Sequence, residues 1–221
     1  MALVHNMLIR AFNSIHMQAC KARPEDVNDF LHYCAAWHTM LEGHHDAEEE
    51  VLFPGIEKAT GVKGIMDSEV TEHAAFSEGL ERFRAYVASC LSDLSQYSGN
   101  ELIGIMDSFG EVLAAHLAHE PPKLASLGQY DFDIKGLSEQ TATYSMKFMH
   151  MTDVLPILWF NLDKDFEGGR WASFPDMPGP VKWAMINLAG AWQKRWWRFA
   201  SSGSDGVQRE LLCLTDAYAA R

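Results

Sequence analysis

Seven side chains of types that hold metal ions interrupt the otherwise apolar seams of this 221-residue chain: His5, His44, Glu48, Glu69, His73, His116 and Glu120. Three carboxylates set among apolar residues would each cost several kcal/mol if left uncompensated. One divalent cation leaves a deficit of positive charge, whereas two cations with a bridging oxide or hydroxide come near neutrality. Mixed imidazole and carboxylate donors suit iron, with manganese or zinc as the alternatives. The residue types therefore point to a pair of metal ions in one dry interior.

The spacing supports this. His44/Glu48, Glu69/His73 and His116/Glu120 are each four residues apart, which on a helix puts the two side chains on one face about 6 Å apart along the axis. One helix can then serve both ions, with a carboxylate between them.

The elements that must position these residues are helices. Residues 1–127 read as four in succession. The first runs from about Ala2 to Ala22, and Pro24 suits the first turn of the second. The second continues towards Phe53, where Pro54-Gly55 is expected to break it. The third spans about Lys63 to Leu94. The fourth opens on Ser98-Gly-Asn-Glu101, a capping box, and is expected to close near Pro121-Pro122.

Core-facing positions recur three and four apart: Leu8, Phe12 and Ile15 on the first helix, and Phe30, Cys34, Trp37, Leu41 and Val51 on the second. Met66, Phe76, Leu80, Phe83 and Val87 continue the seam on the third, and Leu102, Ile105, Phe109 and Val112 on the fourth. Each seam turns polar at one end only: the start of the first and third helices and the end of the second and fourth. Short connections imply antiparallel neighbours. The expected fold is all-α, an up-down-up-down four-helix bundle in which those four ends meet.

After about Gly128 the composition changes. Nine of the ten histidines precede that point, and six of the seven tryptophans follow residue 158. Residues 128–221 read as an aromatic-rich extension of helix and loop docked on the 1–127 bundle. Helices are expected over 137–150 and 179–193, and the tryptophans are expected to bury against the bundle.

Bulk properties narrow the function. A formal net charge of −12 argues against nucleic acid or an anionic membrane surface as partner. The four widely spaced cysteines fit reduced thiols in a cytoplasmic protein. No signal peptide or membrane-spanning run is apparent.

The segment His44-His-Asp-Ala-Glu48-Glu-Glu-Val-Leu-Phe-Pro54, together with His5, Glu72-His73 and His116-Leu-Ala-His-Glu120, resembles the haemerythrin-like (HHE cation-binding) family over residues 1–125. The tail resembles that of fungal haemerythrin-like proteins. The resemblance implies a non-haem diiron site, oxo- or hydroxo-bridged, made by His5, His44, Glu48, His73, His116 and Glu120. Glu69 stands where oxygen-carrying haemerythrins use a second histidine on the third helix. That exchange favours higher oxidation states, and so O2 activation over reversible carriage. Pro121, directly after Glu120, biases that residue out of the α region and leaves His119 as a possible replacement ligand.

Several nearby groups are expected to stand outside the ligand set. His16 lies about 16 Å up the axis from His5. His45 and His119 point off the seam, to support the site or face solvent, and Glu49, Glu50 and Glu72 form an exposed acidic face. His32 and His38 pack or face solvent. The functional expectation is a diiron oxidoreductase acting on O2 or peroxide and a small-molecule substrate; the alternative is a non-catalytic protein that binds or senses O2 or iron. A structural bundle with incidental metal is the third reading.

Overall fold

Apolar residues three and four apart wind the chain into α1 (Ala2–Gln18), α2 (Val27–Ala47), a short α3 (Phe53–Thr60), α4 (Asp67–Ser92) and α5 (Gly99–Ser126). These elements come from a computed structural model that describes residues 1–147, 150, 152–174 and 178–220, with only the backbone described at Met185 and Ala189. The four long helices close a ring of neighbours, α1 on α2, α2 on α4, α4 on α5 and α5 on α1. Among the described residues there is no strand, only an isolated bridge between Ser202 and Gln208, and no helix is long and apolar enough to cross a membrane. The result is an all-helical bundle.

Its core is aromatic in the middle. The Trp37 ring lies 5.1 Å from Phe83 and 5.4 Å from Phe12, and its Nε1 donates to the Leu8 carbonyl at 3.1 Å. Burying side chains of this size contributes on the order of 1.5–3 kcal/mol each. Helices α4 and α5 approach closely because Gly79 faces Phe109: a Cβ there would sit 2.6 Å from the Phe109 Cβ. On α5 the buried seam runs through Leu102, Met106, Phe109 and Leu113, so the expected Val112 is exposed and Leu113 takes its place.

Two helix ends differ from expectation. Pro54-Gly55 does not break the second helix. Residues Glu48–Leu52 widen into a π turn, in which the Phe53 N–H reaches back to the Glu48 carbonyl, and α3 continues with Pro54 in its first turn. A proline needs no donor there, and the wider turn accommodates its ring. Likewise α5 runs through Pro121 and Pro122 to Ser126. The Ser98 side chain caps its start, accepting from the Glu101 N–H at 3.4 Å.

Beyond α5, α6 (Ile134–Ser145) packs on α2 and the π turn, and a short α7 (Pro156–Trp159) packs on α1 and α2. Residues 148 and 149 of the expected 137–150 helix lie outside the described residues. The expected 179–193 helix is α8 (Gly179–Ala184), a π turn and α9 (Gly190–Trp192). Val154, Ile157, Trp159, Trp197, Phe199 and Cys213 share one core with the bundle.

Polar contacts fix the docking. Ser14 donates to the Phe199 carbonyl, which also accepts from Gln18 Nε2 at 2.8 Å. Arg198 pairs with Asp26 and Asp29 at 2.5 and 2.9 Å. Burial of the tryptophans is uneven: Trp159 and Trp197 are buried, whereas Trp183 and Trp192 are exposed.

Candidate metal centre

At one end of the bundle the start of α1 meets the end of α2, and the start of α4 meets the end of α5. His5 Nε2 lies 2.9 Å from His44 Nε2, and His73 Nε2 lies 3.0 Å from His116 Nε2. Glu48, at the head of the π turn, spans the two pairs. Its Oε1 is 3.2 Å from His44 Nε2 and its Oε2 is 3.7 Å from His73 Nε2. Glu120 Oε2 is 3.1 Å from His5 Nε2. Two groups of ligand atoms share Glu48: His5, His44, Glu48 and Glu120, and His45, Glu48, His73 and His116.

Hydrogen bonds behind the rings settle which nitrogens face inward. His5 Nδ1 donates to the Leu117 carbonyl at 2.8 Å, His73 Nδ1 to Glu49 at 2.7 Å, and His116 Nδ1 to Glu72 at 3.1 Å. A carbonyl or carboxylate can only accept, so each of these rings carries its proton on Nδ1, and a neutral ring then presents a lone pair at Nε2. For His73 and His116 this sets two lone pairs 3.0 Å apart, an arrangement that repels unless a cation lies between.

The carboxylates say the same. Both oxygens of Glu48 and both of Glu120 are buried without a hydrogen-bond partner despite the nearby rings. Burial, then the neighbouring Glu120 charge, pushes Glu48 well above the usual carboxylate range. Burial, then the adjacent imidazoles, holds His44 and His45 well below the usual imidazole range, and His116 below it. Neutral imidazoles and orphaned carboxylates in a dry interior form a donor set that a metal ion completes.

The family model for the Hemerythrin HHE cation binding domain matches residues 1–125. The chain belongs to the haemerythrin HHE family. A curated relative is 30% identical over 214 residues, covering 96% of this chain and 80% of its own: dimeric xanthone biosynthesis cluster protein R11 of Cryptosporiopsis sp. (strain 8999). No solved structure matches the chain.

Within this HHE domain, the two groups take in His5, His44, Glu48, His73, His116 and Glu120. Glu69 stands apart from both. It joins Glu72 and His116 in a third group, on the Nδ1 side of His116 at 3.8 Å, with Oε2 buried and unpartnered. His119 is exposed, 3.8 Å from Glu72, while Glu120 is fully buried despite the proline after it. His16 pairs with Asp107 at the surface, and His32 stacks on Trp196.

Three residues expected outside the set have specific places in the site. His45 is buried, its ring 4.3 Å from His73 and 5.4 Å from His116, with Nε2 unpartnered. Glu49 and Glu72, expected on a solvated acidic face, hold the rings of His73 and His116 in place. The signal for His45 is present in the sequence: it precedes Glu48 by three residues, a same-face spacing on a helix. Glu49 and Glu72 act on a neighbouring helix, which no spacing along their own helix reveals.

A cavity of about 940 Å³ opens beside the centre, with His44, Met40 and Leu52 on the bundle side and α6 and Trp159 opposite.

Proposed function

We propose that this domain holds two iron ions and activates O2 to oxidise a small molecule. One observation carries the two-ion reading: Glu48 turns one oxygen towards each imidazole pair, as a carboxylate shared between two ions would. His5, His44 and Glu120 would hold one ion, and His45, His73 and His116 the other. Counted against the two ligating carboxylates, Glu48 and Glu120, two divalent ions and an oxide sum to neutrality. Iron fits the mixed donors best, with manganese or zinc able to take the same ligands. Two ferrous ions held there would supply two electrons to O2.

The chain's own residues do the rest. Leu117, Glu49 and Glu72 orient the rings and fix their protonation, and the apolar wall of Phe76 and Phe53 excludes water. The cavity reaching His44 supports catalysis over carriage, because an oxygen carrier has no need of a chamber of that size next to a ligand. The relative's name places it in a biosynthetic cluster, which is in keeping with an enzyme.

Anaerobic loading with ferrous iron, metal analysis and exposure to O2 test this. Two irons per chain, transient absorbance changes and repeated O2 consumption with a reductant are expected. A long-lived, fully reversible oxygenated form would show a carrier. Loss of helix and protease resistance on chelation, without turnover, would show a sensor. Well under one ion per chain would remove the centre altogether.

A further inference from the structure

The lining of the 940 Å³ cavity specifies a kind of ligand. It contains no Lys, Arg, Asp or Glu among the described residues, and the terminal ammonium at Met1, beside His44, is its one fixed charge. Its walls are aliphatic and aromatic, with Phe132, Tyr130, Trp159 and Phe174 among them. Charge beyond what that single ammonium can pair would be costly to bury, which disfavours multiply acidic and phosphorylated molecules. The volume is near the upper end of small-molecule sites, which run from roughly 300 to 1,000 Å³. It suits a molecule of several fused rings.

The polar groups are arranged to one purpose. Ser138, Thr141 and Ser145 lie on one face of α6, spaced three and four residues apart, and all three line the cavity. Each spends its own proton on a backbone carbonyl: Ser138 on Ile134 at 2.8 Å, Thr141 on Leu137 at 3.0 Å and Ser145 on Gly43 at 3.3 Å. What remains on each oxygen is acceptor capacity. A ligand meeting this stripe satisfies it by donating hydrogen bonds.

We infer that the cavity binds an uncharged polycyclic aromatic bearing hydroxyl groups, a polyphenol, with its ring edge towards His44 and its hydroxyls towards the α6 stripe. That this molecule is a substrate rests on the oxidation reading above; that it binds does not.

Calorimetric titration of the full-length chain, metal-free and iron-loaded without O2, at pH 6 to keep the phenols protonated, compares three probes on one skeleton: 2,6-dihydroxyanthraquinone, anthraquinone and anthraquinone-2,6-disulfonate. The dihydroxy compound should bind at least severalfold tighter than the unsubstituted one, and the disulfonate weakest. In the double variant Ser138→Ala/Thr141→Val the advantage of the hydroxyls should fall by about 2- to 10-fold per lost bond, with anthraquinone unchanged.

Equal or tighter binding of the disulfonate, or no binding of any probe, overturns the inference. So does a hydroxyl preference that the double variant leaves intact. Metal content read on the same samples separates the two claims: polyphenol binding by a chain that takes up no iron supports the cavity and refutes the diiron centre. Two irons with no probe bound does the reverse.

Discussion

Replacing Pro121 by alanine should stabilise the metal-free chain while weakening its hold on metal. Pro121 has no N–H to give the Leu117 carbonyl, and that carbonyl accepts instead from His5 Nδ1 at 2.8 Å. Alanine restores a helical donor. An interior proline costs roughly 3 kcal/mol relative to alanine. With Pro122 still in place part of that cost stays, so a gain of about 1–3 kcal/mol is expected. For a chain of this size that raises the midpoint of thermal unfolding by roughly 2–4 °C per kcal/mol.

The new N–H then competes with His5 for one oxygen, loosening the ring and its protonation state. Losing such a support costs about 10- to 100-fold in metal affinity, or roughly 1.4–2.7 kcal/mol. Thermal unfolding with and without zinc or ferrous iron reads both effects: a higher midpoint for the metal-free variant and a smaller increment on loading. Pro122→Ala is the control. It restores a donor to the Ala118 carbonyl, which His5 does not touch, and should raise the midpoint with the metal increment unchanged. An unchanged increment in Pro121→Ala would show that the proline is merely tolerated, and a lower metal-free midpoint would refute the missing-bond argument itself.

Other outcomes follow from particular contacts. Glu72→Gln and Glu49→Gln, which weaken the grip on His116 and His73, should each lower metal affinity about 10- to 100-fold in competition titrations with a chelator, with little change in helix content. Gly79→Ala should destabilise by about 1–3 kcal/mol in urea unfolding, because the added methyl meets the Phe109 side chain; helix propensity alone predicts the opposite sign. Burial, with Arg84 nearby, lowers His38 from near 6.5 to about 4. The unfolded chain therefore takes up that proton first, and the stability from neutral His38 is present above pH 6.5 and lost as pH falls towards 4. Metal-free protein should lose up to about 3 kcal/mol through this group over that window. His38→Leu should flatten the difference, and parallel pH profiles for the two proteins would count against it.

The four long helices and the end at which polar residues collect were legible because both are carried by spacing. A seam that is apolar for several turns and then offers His44 and Glu48, or His116 and Glu120, announces its level in the bundle. The expected breaks at Pro54 and Pro121 do not occur, because a proline's missing donor is a local fact, whereas its cost depends on what replaces the bond. At Pro54 a π turn makes room, and at Pro121 a histidine from another helix uses the orphaned carbonyl. Glu72 and Glu49 could not be placed from their own helices, since the rings they hold belong to partners across the bundle. Docking of the tail was legible from its tryptophans, but which ones bury was not: Trp197 enters the core and Trp192, five residues earlier, remains in solvent.

Within the bundle, the departures at Pro54 and Pro121 both lie at the metal end, and each does something a regular helix cannot. After Glu48 the buried side of the chain shifts to Leu52, Phe53 and Ile56, leaving Val51 half-buried. The π turn thus lets the carboxylate aim at both imidazole pairs while the following helix still packs its own apolar face against Met66 and Leu127. On α5 the prolines leave carbonyls unclaimed one turn before Glu120, where α1 supplies His5 to take one of them. A bundle with uninterrupted α2 and α5 would gain backbone hydrogen bonds, but it would lose the acceptor that orients His5 and the change of phase that separates Glu48 from the seam beyond it. Stability is surrendered at the two places where donors must converge, and bound metal, by pairing the orphaned oxygens of Glu48 and Glu120, is what would restore it.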